Sequence, residues 1–103
     1  MAIERRYVVD TNALIWYLTG DQRLTAPAKA IFAAAEAGQT RLILSAIVLA
    51  ELYYANRKGG FFPDFRRVYQ RVVSADYFRV IPFNADAVLD FDRHAAVPEM
   101  RDA

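Results

Sequence analysis

An α/β fold, a three-layer sandwich on a parallel central sheet, is predicted for this 103-residue chain by three observations. Short strand-like runs alternate with helix-like segments. Each run is apolar throughout instead of alternating apolar and polar residues, as strands buried on both faces are. Residues of helix-capping type stand directly after the runs, where a chain leaving a sheet enters a helix.

Tyr7, Val8 and Val9 form the first strand, which ends at Asp10. Thr11 and Asn12 are capping types, so the short helix behind them is read from Ala13 to Leu18, closed by Gly20 and Asp21. Thr25 ahead of Ala26 and Pro27 starts a second helix, because proline fits the first turn, where the N–H groups lack intrahelical partners. Its Ala-rich stretch runs to Ala37 and stops at Gly38. Arg41 to Leu44 is the second strand, and Ser45 caps a helix from Ala46 to about Lys58, ended by Gly59 and Gly60. Asp64 opens a helix with Phe65, Val68, Tyr69 and Val72 at helical spacing, and Arg66, Arg67, Gln70 and Arg71 on its other side. A third strand follows from Phe78 to Phe83, then a helix capped by Asn84 and running from Ala85 to about Ala95. Pro98 and Glu99 read as the start of one more.

The chain is long enough for one domain, residues 1–103, and too short for two. Thirteen Lys and Arg against twelve Asp and Glu leave a net charge of +1, so any nucleic-acid binding must come from local patches. The 55% hydrophobic content excludes a disordered chain, and the absence of cysteine excludes disulfides, thiolate zinc sites and cysteine nucleophiles. The N-terminus lacks a signal-peptide core, and no apolar stretch reaches the roughly 20 residues of a membrane span. A reducing cytoplasm is the expected compartment.

In parallel sheets ligands bind beyond the carboxyl ends of the strands, which directs attention to Asp10 and Ser45. Asp10 has two readings, a helix cap or a functional carboxylate. Glu51 has apolar helical neighbours in Ile47, Val48, Tyr54 and Ala55, and is expected to project from a buried face. There it needs a buried Arg or Lys, a proton or a metal ion, since an unpaired buried charge costs several kcal/mol. Asp102, behind Pro98 and Glu99, is expected in the first turn of a helix, as a cap or a third acid. Were the three carboxylates about 5 Å apart, each ionised pair would repel by ~3 kcal/mol at an effective dielectric near 20. A divalent cation makes such a cluster tolerable, and oxygen-only ligands favour Mg²⁺ or Mn²⁺.

The stretches Val8 to Leu18, Leu44 to Leu52 and Pro98 to Asp102 resemble, in order, the first three acidic motifs of PIN-domain ribonucleases, above all VapC-type toxins of toxin–antitoxin pairs. The resemblance implies that Asp10, Glu51 and Asp102 hold Mg²⁺ or Mn²⁺ and that Asn12 hydrogen-bonds within the acidic cluster and orients it. It implies hydrolysis of RNA, a cognate antitoxin protein as partner, and a homodimer. Thr11 and Ser45 either orient these groups or act only as caps.

A fourth acidic residue and the two last strands of such a domain are not found, so roughly 30 residues of ordinary elements are expected to be missing from the C-terminal end. The strand at Tyr7 would then lie at a sheet edge although its sequence is written for burial, which points to self-association or strand exchange. A non-catalytic interaction or regulatory remnant is the alternative reading. Arg66, Arg67 and Arg71 read as a solvated face that is able to meet RNA phosphates; His94 reads as a surface histidine. Trp16, Tyr17, Tyr53 and Tyr54 read as core and interface aromatics.

Overall fold

In the computed structural model, which describes residues 5–82, 84–86, 96–97 and 100–102, the chain alternates strands and helices as expected. Strand β1 (Arg5–Val9) leads into helices α1 (Thr11–Thr19) and α2 (Ala26–Glu36). Strand β2 (Thr40–Ser45) leads into α3 (Ala46–Gly59) and α4 (Phe65–Ser74), and β3 (Phe78–Ile81) follows. The strands β1, β2 and β3 are parallel, with Tyr7 level with Leu42 and Leu42 level with Phe78. The α/β class is therefore the one observed. β3 stops at Ile81, short of Phe83, because Pro82 has no N–H to donate to a ladder. Ala85 and Asp86 are helical, and the remainder of the helix expected to Ala95, with His94, lies outside the described residues.

Most helix starts sit where the capping residues predict. Thr25, Ser45 and Asp64 accept backbone N–H bonds from Ala28, Ile47 and Arg67 at the heads of α2, α3 and α4. At the head of α1 the capping reading of Asp10 is the one observed. Asp10, not Thr11 or Asn12, is the cap, and its Oδ1 accepts from the Ala13 amide at 2.8 Å. Three successive capping types compete there, and the choice falls to the register that buries Ala13, Leu14 and Ile15.

Gly20 ends α1 in the left-handed region, φ 68°, with its N–H directed at the Trp16 and Tyr17 carbonyls. A side chain there would meet no heavy atom within 4 Å, so Gly20→Ala isolates backbone strain. It is expected to lower stability by about 1–2 kcal/mol in urea unfolding, with the native spectrum unchanged.

One core joins the sheet to the helices. Val9, Leu42, Leu44 and Phe78 from the strands pack with Leu14, Phe32, Leu52 and Val72 from the helices, all buried. The opposite sheet face is less covered than an all-apolar strand suggests: Val8, Ile43 and Ile81 are half-buried, and Arg6, Arg41 and Arg79 exposed. Sequence identity reports that a strand is apolar, and the packing decides how deeply each face is covered.

The sheet continues past β1. Strand β4 (Ala96–Val97) and strand β5 (Met100–Asp102) give the order β3-β2-β1-β5-β4, with β5 antiparallel to β1. This overturns two expectations. β1 is not an edge, so the edge that strand exchange was expected to satisfy is already paired. Met100 to Asp102 is a strand and not the first turn of a helix; the expected start at Pro98 and Glu99 lies outside the described residues. The physical reason is the open side of β1, whose N–H and C=O groups accept a ladder that a short, unnucleated helix cannot rival.

Candidate functional site

Asp10 stands just beyond β1, and Ser45 ends β2, the neighbouring parallel strand. Ser45 is fully buried, and its Oγ accepts from the Ile47 amide at 3.3 Å, so it serves as the cap of α3. Asp10 is exposed and caps α1. Capping is one use of a carboxylate with several acceptor positions, and it leaves the functional reading open.

Glu51 lies in the middle of α3, and Thr11 Oγ1 donates to its Oε1 at 2.7 Å. That bond ties the first residue of α1 to α3 across 40 positions of sequence and brings Glu51 to the residue that follows Asp10. Thr11, read above as a possible cap, is thus the residue that holds Glu51. Asn12, expected to orient the acids, is exposed in the first turn of α1, and the bond to Glu51 comes from its neighbour.

The environment of Glu51 differs from the expectation. It is exposed, as are Ile47 at 39% and Tyr54 at 67%, while Val48 is buried and Ala55 half-buried, so Glu51 stands at the border of the core and not within it. α3 is apolar nearly all round, and only Val48 and Leu52 are buried in the core. The desolvation argument for a compulsory cation at Glu51 therefore falls away. What remains is two carboxylates brought to one end of the sheet.

Asp102 lies on β5. It pairs with Tyr7, three positions before Asp10 on β1, which at strand spacing sets the two backbones about 10 Å apart. Among the described residues, no group of three or more His, Cys, Asp and Glu side chains is arranged to hold a metal.

A separate cavity of about 230 Å³ lies between α1 and α2, lined by Trp16, Tyr17, Asp21, Leu24, Phe32 and Glu36 among others, with neither Asp10 nor Glu51 on its wall. The Tyr17 hydroxyl donates to Glu36 Oε1 at 2.8 Å and lies 3.0 Å from the Tyr77 hydroxyl. Burial, then the bonds to Tyr77 and Glu36, push the Tyr17 phenol well above the usual tyrosine range, so it stays protonated. Nothing in the sequence signals this group, because its members are 19 and 60 positions apart.

At the same end of α1, Arg23 grips Asp21 through Nε and Nη2, and its hydrogen bonds lower the Asp21 carboxyl from 3.8 to about 2. A depressed carboxyl contributes stability that is complete above 3.8 and is lost as pH falls through about 2. Asp21→Asn is therefore expected to lower stability slightly at neutral pH, where the contribution is complete, and to flatten the acid limb in that window, the variant and parent converging near pH 2. Urea midpoints measured from pH 5 down to about 2 check this, and an unchanged slope contradicts it.

A family model, the PIN domain, matches residues 7–96 of the chain. Asp10, Asn12 and Glu51 lie inside the match, and Asp102 lies beyond it. No curated protein and no solved structure gives a significant match.

Proposed function

Because this chain belongs to the PIN domain family, we propose that it is a metal-dependent endoribonuclease that hydrolyses RNA phosphodiester bonds as the VapC-type toxin of a toxin–antitoxin pair. The family itself implies a nuclease that acts on RNA and generally requires a divalent metal. The observation that carries the proposal is the 2.7 Å bond from Thr11 to Glu51, which gathers the acid of α3 to the acid that follows β1.

The donor chemistry fits Mg²⁺ or Mn²⁺. Asp10 and Glu51 are hard oxygen ligands at the exposed end of the sheet, and Mg²⁺ commonly takes only one or two carboxylates beside water and substrate phosphate. An ion so held supplies a nucleophilic water at neutral pH and charge compensation on the phosphodiester. Asp10 provides one carboxylate from a rigid helix cap. Glu51 provides the second, its rotamer held by Thr11. Asn12, one residue from Thr11, offers an amide to the same end of α1. Asp102 enters as third metal ligand and catalytic residue through the family resemblance alone.

A cognate antitoxin and a second copy of the chain are the proposed protein partners, supported by Tyr69 and Val73, exposed one turn apart on α4. A cytoplasmic setting is proposed from the lack of cysteine, and no helix among the described residues is long and apolar enough to cross a membrane. The alternative is a non-catalytic interaction or regulatory remnant of the fold.

Calorimetric titration with Mg²⁺ and Mn²⁺, run beside cleavage of a labelled RNA with and without chelator, separates the two. Saturable metal binding and chelator-sensitive cleavage are expected. Intact RNA and no heat of metal binding establish the remnant reading instead.

A further inference from the structure

On α3, Ile47, Glu51, Tyr54 and Lys58 follow one another at four, three and four positions, the spacing that stacks side chains in a single strip of a helix. All of them are exposed, and among the described residues Tyr54 is the most exposed large apolar one, at 67%. Glu51 in the candidate site is thus one turn from an uncovered aromatic ring, and that ring is one turn from a cation.

The ring is also braced. Tyr54 meets Tyr53 edge-on at 5.3 Å, and Tyr53 in turn packs edge-on against Phe65 at 5.4 Å. Arg57 donates to the Tyr53 hydroxyl at 3.2 Å and lies over its ring at 5.9 Å. A ring already fixed by its edge-on contact with Tyr53 has little rotamer freedom left to lose on stacking. Cations predominate toward the C-terminal end of α3, with Glu51 on the other side of the ring and Asp64 at the cap of α4. Arg57 and Lys58 close α3, and Arg66 and Arg67, exposed directly after Phe65, stand at the head of the adjoining α4.

We propose that this strip is the seat of single-stranded RNA, one base stacking on Tyr54 while the adjoining phosphates meet Lys58, so that the next phosphate along lies at Glu51. The proposal rests on the nuclease reading of Asp10 and Glu51 and assigns Tyr54 and Lys58 as the residues that seat the strand beside them. The π-face of a base is open to Tyr54 only when the base is unstacked, and a duplex withholds it. The aromatic and cationic pairing favours this occupant over a second protein copy, which gains nothing from the positive charge beside its own basic strip.

The test is binding of the full chain to a labelled, unstructured RNA of about ten nucleotides, followed by anisotropy in chelator so that nothing is cleaved. Tyr54→Ala is expected to weaken binding by about 5- to 100-fold, and Tyr54→Trp to preserve it. Lys58→Ala is expected to reduce the slope of log affinity against log salt by about 0.7. A hairpin duplex of the same composition should bind more weakly and respond little to Tyr54→Ala. No binding by the parent chain, equal binding by Tyr54→Ala, or a change from dimer to monomer in that variant with RNA affinity intact overturns the proposal. Tyr54-dependent binding without Mg²⁺- or Mn²⁺-dependent cleavage leaves the strip standing and overturns the nuclease reading. Cleavage and binding that both ignore Tyr54→Ala do the reverse.

Discussion

Asp10→Asn is expected to reduce metal-dependent RNA cleavage about a hundredfold or more while leaving the fold intact. Asparagine caps a helix as well as aspartate does, so the bond from the Ala13 amide survives and only the charge is removed. Asp10→Ala would confuse the two roles, since losing a cap costs about 1 kcal/mol of stability in its own right. The same reasoning selects Glu51→Gln, whose amide carbonyl still accepts from Thr11. Groups that stabilise developing charge in a reacting phosphodiester are typically worth a hundredfold to a thousandfold in rate, which sets the expected size.

Calorimetry in parallel should show weaker Mg²⁺ binding in both variants, with melting temperatures close to the parent. Thr11→Val, which removes the donor and retains the shape, should fall between, at about tenfold, because it loosens Glu51 without removing it. Asp102→Asn decides the membership of Asp102, and a loss as large as that of Asp10→Asn is the result the resemblance implies. Undiminished cleavage in both Asp10→Asn and Glu51→Gln ends the nuclease assignment of this site.

Phe32→Ala is expected to be the most damaging single change to the fold, about 3–5 kcal/mol. Phe32 is 1% exposed and lies flat against Tyr17, with centroids 4.1 Å apart and planes 3° from parallel. Its removal takes away a core ring and one face of the Tyr17 sandwich, and it opens the interior to the neighbouring cavity. The Tyr17 hydroxyl would then hold its bonds to Glu36 and Tyr77 from a ring that is no longer packed. Against a typical domain stability of ~5–15 kcal/mol this is a large share, and for about 100 residues it corresponds to a melting temperature lower by about 15–30 °C. Thermal unfolding followed by circular dichroism measures it, with Phe32→Leu as a milder control. A shift of only a few degrees would mean that α1 and α2 unfold apart from the sheet.

Much of the fold is legible locally. Thr25, Ser45 and Asp64 mark their helices correctly because a cap and the amides it satisfies lie within three residues of each other. Gly20 and Gly60 end α1 and α3 for the same reason, each at a positive φ that glycine adopts without strain. At Asp10, Thr11 and Asn12 the local signal is degenerate, and the burial of Ala13, Leu14 and Ile15 chooses among three acceptable caps. Errors grow with sequence separation. Asp102 was assigned to a helix from its neighbours, while its strand follows from pairing with Tyr7 at the other end of the chain.

The candidate site divides in the same way. Residue types and their order were enough to single out Asp10 and Glu51 and the α/β class that presents them, since strand runs, caps and acidic positions are local properties of the chain. Which face of α3 is buried is not such a property. That helix is apolar on nearly every side, so its composition is compatible with a sunken Glu51 or an open one, and the packing of Val48 and Leu52 against the core turns Glu51, Tyr54 and Lys58 outward. The link from Thr11 to Glu51, the cover that β5 gives to β1, and the exposed strip beside the acids each join residues that the sequence keeps far apart or leaves equivalent. They are settled by the global packing of helices on the sheet, where burial of one apolar face necessarily exposes another.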